Sequence, residues 1–240
     1  MHAVILAAGL GNRLGGLTAD KPKALVKVAG RELILRVMDF LDHPSITERT
    51  VVTGYMAPML EDFIASNIPG VGTVRNPHFN DGSIRSIEAA LPSLKGDMLV
   101  VNVDHIYPAG LIERVVAADG DLVAVCDFDR RLGPDDMKVK LCENGRLELI
   151  SKTLSEFDGG YIGMTRVAAA KLPAYREAAA TVRREEGNSA SVERVIGLMA
   201  ARGGAVDICD SSGIRWLEVD TPEDLAAAEE TLSTNPGYLT

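Results

Sequence analysis

The sequence predicts an α/β fold: one domain built on a mostly parallel sheet with helices on both faces. Three observations carry this. Short apolar runs that read as strands alternate with amphipathic segments that read as helices through the first half of the chain. Runs such as Met98-Leu99-Val100-Val101 have no polar face, as expected of strands covered on both sides. With 240 residues, 46% of them hydrophobic, the chain can bury one large core.

Taken in order, Ala3–Leu6 is a strand. Glu32–Leu41 is a helix with Leu33, Val37, Phe40 and Leu41 on one face. Thr50–Thr53 is a strand, Met56–Ala65 a helix and Val71–Val74 a short strand. Ser83–Leu94 is a helix carrying Ile84, Ile87, Leu91 and Leu94. Met98–Val103 is a buried strand, Pro108–Ala118 a helix and Leu122–Asp127 a strand. The rhythm changes after Gly133. Met137–Leu141 and Arg146–Ile150 read as a hairpin, with Asn144-Gly145 as a type I′ turn. Tyr161–Met164 is a strand, Ala168–Ala180 and Ser191–Ala201 are helices, and Val206–Cys209 and Ile214–Val219 are strands. Thr221-Pro222-Glu223-Asp224 starts a last helix, with Thr as cap and Pro at the first turn. The result is a Rossmann-like domain over residues 1–232, with 233–240 as a loose tail. A small β-rich insertion, about 130–180, is placed over the carboxyl ends of the parallel strands, where such sheets bind ligands.

The net charge of −9 and the dispersed Lys and Arg argue against nucleic acid as a partner. The first apolar run is too short for a leader, and no run is long enough to span a membrane. Cys126, Cys142 and Cys209 are far apart and odd in number, which suggests reduced thiols and a cytoplasmic protein.

Chemistry concentrates at the start. The strand ends in Leu6-Ala7-Ala8-Gly9, residues too small to screen the backbone. Gly11, Asn12, Arg13, Gly15 and Gly16 follow, then Lys21 and Lys23 around Pro22. Glycines let the backbone approach a ligand, exposed amides form an anion-binding concavity, and Arg and Lys add charge-assisted bonds to phosphate. The segment suits a polyphosphate. It is not a dinucleotide fingerprint, because Leu14 stands at the third glycine. It is not a P-loop either, because Leu17-Thr18 stand where Lys and Ser or Thr belong.

Asp104 follows the strand Met98–Val103, and Asp220 follows Ile214–Val219. Two carboxylates at one sheet edge beside a phosphate loop form a candidate Mg²⁺ site, because Mg²⁺ takes one or two carboxylates plus phosphate oxygens. Helix capping is the other reading, stronger for Asp220 because Thr221 follows it.

Leu6-Ala7-Ala8-Gly9-Leu10-Gly11-Asn12-Arg13-Leu14, followed by Pro22-Lys23-Ala24-Leu25, resembles the opening of the sugar-nucleotide and cytidylyl nucleotidyltransferase family. Val103-Asp104-His105-Ile106-Tyr107 and Trp216-Leu217-Glu218-Val219-Asp220-Thr221-Pro222-Glu223-Asp224 are similar to the two metal-aspartate motifs of its cytidylyltransferase branch. They are nearest to the inositol-1-phosphate enzymes, and phosphocholine and phosphonate cytidylyltransferases share both ends.

The resemblance implies Mg²⁺-dependent transfer of CMP from CTP to a small phosphate or phosphonate acceptor. Arg13 and Lys23 would hold the leaving β,γ-phosphates, Asp104 and Asp220 the metal, and Ser86 the base. Lys138 and Lys152 would receive the acceptor phosphate. Two departures stand out. Val103 replaces a frequent Gly, and the loop Asn76–Ser86 lacks the paired Asn of phosphocholine enzymes and carries an unplaced Arg85. A sugar-1-phosphate or cofactor nucleotidyltransferase using UTP or GTP remains the alternative, with a non-catalytic nucleotide-binding regulator behind it. The sequence is compatible with a homo-oligomer and leaves the acceptor and the oligomeric state open.

Overall fold

The computed structural model describes residues 1–239. In chain order it contains β1 (His2–Leu6), β2 (Lys27–Val28), β3 (Arg31–Glu32), α1 (Leu33–Phe40), β4 (Glu48–Thr53), α2 (Ala57–Asn67) and β5 (Gly72–Arg75). Then come α3 (Ile84–Ala90), β6 (Met98–Asn102), β7 (His105–Ile106), α4 (Gly110–Ala117) and β8 (Leu122–Asp127). The second half holds β9 (Lys138–Leu141), β10 (Leu147–Ser151), β11 (Gly159–Val167), α5 (Leu172–Glu186) and α6 (Glu193–Ala201). It closes with β12 (Asp207–Asp210), β13 (Leu217–Glu218) and α7 (Pro222–Thr234).

Nine strands form one sheet along the path β10-β9-β11-β6-β1-β4-β5, with β8 on β11 and β12 on β8. β1 runs parallel to both β4 and β6, and β4 to β5. β11 is antiparallel to β6, β8 and β9, and so joins the parallel half to the hairpin half. The mixed sheet with helices on both faces matches the expected fold class.

Alternation along the strands divides the core. Val4, Val52 and Val100 face Ile84, Tyr175, Val182 and Ile196 from α3, α5 and α6. Ala3, Ile5, Leu99 and Val101 face Ile34, Leu60 and Leu111 from α1, α2 and α4. A third cluster, with Leu14, Val26, Leu33, Ile106 and Val219, packs beneath the glycine loop and α7.

Several expectations are corrected. The Cys142–Arg146 hairpin is present, but Gly145 alone takes a positive φ in its turn, so the turn is not type I′. Gly145 N donates to Cys142 O and Cys142 N to Arg146 O, while the Asn144 side chain accepts from Arg146 N. That side-chain bond replaces the backbone geometry a two-residue turn would need. The expected strand Ile214–Val219 shrinks to Leu217–Glu218, which leaves the main sheet and pairs with β7. The helix expected over Ser83–Leu94 ends at Ala90 and tightens into a 3₁₀ turn at Leu91–Ser93, where Pro92 lacks a donor. The expected loose tail is held against the body: Leu239 packs on the third cluster, and its carbonyl accepts from Ala109 N at 3.0 Å. Thr240, the last residue of that tail, lies outside the described residues.

Candidate active site

Strand pairing brings the chemistry to one edge. β1 and β6 are parallel neighbours with Leu6 opposite Asn102, and Val103 N donates to Leu6 O at 3.2 Å. The glycine loop and Asp104 therefore leave the sheet side by side. β13 then lies antiparallel on β7 with Glu218 opposite His105, and Val219 N donates to Asp104 O at 2.9 Å. That ladder delivers Asp220 beside Asp104.

Neither aspartate caps a helix. The cap of α7 is Thr221, whose Oγ1 accepts from Asp224 N while Asp224 Oδ2 accepts from the amides of Asp220 and Thr221. Such a capping box satisfies the helix end and leaves the Asp220 carboxylate for the cavity.

The two carboxylates meet on one cation. Lys23 Nζ donates to Asp104 Oδ2 at 2.8 Å and to Asp220 Oδ1, and Arg13 Nη2 donates to Asp220 Oδ2. Lys23 is 7% exposed. Its stem passes Gly11, where a Cβ would come within 3.1 Å of Lys23 Cβ and where φ is +67°. Glycine meets both demands. Among the described residues, no hydrogen bond uses the amides of Gly9, Leu10 or Gly11. Of this segment, Gly9, Arg13 and Lys23 line a cavity of about 340 Å³.

Burial by itself would lower the Lys23 pKa, but Asp104 and Asp220 together outweigh it and hold the ammonium above its ordinary value. Burial opposes ionisation of Asp104 too; Lys23 and His105 prevail and keep its carboxyl well below the usual range. His105 is lifted above its ordinary value, since Asp104 and Glu218 override the effect of burial. Glu218 is raised, chiefly by burial.

Leu6, Ala7, Ala8 and Gly9 line the cavity with Arg13 and Lys23 on the loop side. Asp104, Asp220, Ser86 and Lys152 also line it. Ser86 Oγ accepts from Asn76 Nδ2 at 3.1 Å, which leaves the hydroxyl proton free to donate. Lys152 is exposed, and its ammonium takes no partner among the described residues. Gly11 and Asn12 shape the loop without lining the cavity.

Lys138 is a correction. It was expected at the acceptor phosphate, but it lies outside the cavity lining. Its ammonium donates to the carbonyls of Lys152, Asp136 and Pro134 at 2.9, 3.3 and 3.4 Å. All three donors are used to tie 134–136 to the segment bearing Lys152. Arg85, unplaced by sequence, pairs with Glu88 at 2.6 Å on α3.

Sequence reasoning missed Asp135, Asp136, Tyr161, Glu193, Trp216 and Glu218, all of which line the cavity. Trp216 and Glu218 lay inside a quoted motif. Asp135, Asp136 and Tyr161 belong to the 130–180 region expected over the site, where the sequence singles out only Lys138 and Lys152; Glu193 belongs to α6, which reads in sequence only as a helix.

No group of three His, Cys, Asp or Glu that could hold a metal occurs among the described residues. The two carboxylates fit a divalent ion that completes its shell with substrate phosphates and water, since both already converge on one cation position. No helix among the described residues is long and apolar enough to cross a membrane.

Residues 3–194 match the model of the MobA-like NTP transferase domain. The chain is 31% identical over 236 residues to a bifunctional IPC transferase and DIPP synthase of Aquifex aeolicus, covering 96% of this chain and 51% of that protein. It is 26% identical to a CMP-5'-(3-aminopropyl)phosphonate synthase of Streptomyces rubellomurinus, covering 95% and 38%. It thus spans about half or less of these two curated relatives. The structure of the inositol-1-phosphate CTP transferase from T. maritima superposes with a TM-score of 0.82 at 20% identity, covering 100% of this chain and 97% of the other. Transferases of this kind typically use a divalent metal.

Proposed function

The chain belongs to the MobA-like NTP transferase domain family, and from that premise we propose that it transfers CMP from CTP to a small phosphorylated or phosphonate acceptor. An acceptor oxygen attacks the α-phosphorus, the bond from that phosphorus to the β-bridging oxygen breaks, and pyrophosphate leaves. The acceptor oxygen is ionised at neutral pH, so no protein nucleophile or general base is needed. Catalysis is positioning and charge neutralisation.

The observation that carries this reading is the convergence of Asp104 and Asp220 on one cation at the mouth of an unpaired-amide loop. The free amides of Gly9 to Gly11 would receive phosphate oxygens. Arg13 and Lys23 would stabilise the departing β,γ-phosphates, whose charge grows in the transition state. Lys152, which lines the cavity with its ammonium unpartnered among the described residues, would bind the acceptor phosphate. Ser86 would donate to the base. Asp104 and Asp220 would hold Mg²⁺, which when bound supplies positive charge to the phosphate oxygens.

The CTP assignment draws on the named relatives, which include an IPC transferase and a CMP-phosphonate synthase. The test is pyrophosphate release from each of the four triphosphates with inositol 1-phosphate, phosphocholine, an aminoalkyl phosphonate and glycerol phosphate. CTP should give the highest kcat/KM with whichever acceptor reacts. A preference for UTP or GTP would move the chain to sugar-1-phosphate chemistry, and no turnover with any pair would overturn the proposal.

A further inference from the structure

The two oxygens of Asp104 are divided between two partners. Oδ2 accepts from Lys23 Nζ at 2.8 Å, and Oδ1 lies 2.7 Å from His105 Nδ1. The His105 ring is 5% exposed and stacked against two aromatic rings. Trp216 lies 5.1 Å away by ring centroids at an interplanar angle of 16°, and Tyr107 lies 5.6 Å away at 22°. Trp216 is fixed in turn. Its Nε1 donates to Asp127 Oδ2 at 2.8 Å, and the Arg130 guanidinium sits 4.0 Å from its ring centroid. The other oxygen of Asp127 accepts the amides of Asp129 and Arg130 at 3.0 and 3.1 Å.

A carboxylate free to turn about its last torsion offers either oxygen to a cation. A ring nitrogen on one oxygen removes that freedom and aims the other. We infer that His105 is a positioning residue for Asp104, holding Oδ1 so that Oδ2 stays on the cation position, with the Trp216–Arg130 stack keeping the imidazole from turning away. The inference rests on the proposed role of Asp104 as a ligand of a divalent ion.

The test uses Mn²⁺ as probe, titrated into the full chain with CTP present and read by electron paramagnetic resonance, with melting temperature measured in parallel. Wild type should bind Mn²⁺ tightly and Asp104→Asn should not. His105→Phe keeps an aromatic ring in the stack and loses the nitrogen. It should weaken Mn²⁺ about tenfold or more, the scale for losing the partner of a metal ligand. His105→Asn places an amide near Nδ1 and should recover most of that affinity.

In turnover, the Mn²⁺ concentration for half-activation should rise in His105→Phe while the acceptor KM at saturating metal holds. Should His105→Phe fail to fold, Trp216→Leu carries the test. It leaves the nitrogen but removes one stack, and an unchanged Mn²⁺ affinity there overturns the inference. Wild-type Mn²⁺ affinity in a folded His105→Phe also overturns it, as does His105→Asn as weak as His105→Phe. If wild type binds no more Mn²⁺ than Asp104→Asn, the metal reading itself fails and the inference falls with it. That pattern is distinct from the others because it appears in the wild type.

Discussion

Replacing Lys23 by Met keeps the aliphatic stem and removes the charge that Asp104 and Asp220 share. The Lys23 side chain is 9% exposed, and those of Asp104 and Asp220 are 23% and 13%. Removing one partner of a buried ion pair costs about 3–5 kcal/mol. His105 still bonds Asp104 and Arg13 still bonds Asp220, so the lower end, about 3 kcal/mol, is expected. In a chain of this size each kcal/mol moves Tm by roughly 2–4 °C, which gives a fall of roughly 6–12 °C in EDTA. A divalent ion should then help the variant more than the wild type, because no ammonium has to leave the carboxylates first. At a hundred times its Kd an ion adds about 2.7 kcal/mol, nearly the whole deficit. Calorimetric melts of both proteins in EDTA and in excess Mg²⁺ give the comparison. A variant melting within about 2 °C of wild type in EDTA, or equal Mg²⁺ responses in the two proteins, would refute the account of Lys23 as the counter-ion of both acids.

Asp104→Asn and Asp220→Asn should each lower turnover by about a hundredfold or more, the scale of one lost electrostatic stabiliser, as read by pyrophosphate release. Lys152→Ala should raise the acceptor KM about tenfold, the value of one charge-assisted contact, while calorimetric CTP affinity without acceptor stays put; the reverse pattern would misplace the acceptor. Away from the site, the Arg75 hydrogen bond is the largest influence on Glu61 and holds its carboxyl below the ordinary 4.5. A carboxyl lowered in the fold adds stability above its unfolded value and loses it as pH falls through the folded value. Glu61→Gln should therefore lower Tm most at neutral pH, reduce the further loss of Tm below about pH 4.5 and leave the two proteins closest in acid.

Much of the fold and part of the site were legible because their signals are local. The strand into Leu6, the glycines after it and the Thr221 cap each declare themselves within a few residues. What failed depended on which partners the folded backbone brings to a side chain. Lys138 and Lys152 look alike as solvated charges in sequence. The carbonyls of Pro134, Asp136 and Lys152 capture the first, and among the described residues nothing captures the ammonium of the second. The run Ile214–Val219 is apolar enough for a full strand. Yet Ser211 bonds Cys126 O, and the strand that does form, Leu217–Glu218, pairs with β7 outside the main sheet. Stacking of Trp216 on His105 joins residues over a hundred positions apart, so neither carried a sign of the other.

The last segment of the chain stands apart in one respect. β12 completes the nine-stranded sheet at Asp210, and Asp220 arrives only afterwards, on a two-residue strand and a helix with a single fully buried residue, Ala228. A region so lightly anchored opens at lower free energy than the sheet beneath it. Amide exchange in α7 should outpace that of β1 and β6. Each such opening carries Asp220 away from Asp104 while every core strand stays paired. Competence for chemistry and integrity of the fold are thereby uncoupled: the molecule can lose the first for an instant without risking the second. During synthesis, the sheet can assemble before the residue that completes the cation position has left the ribosome.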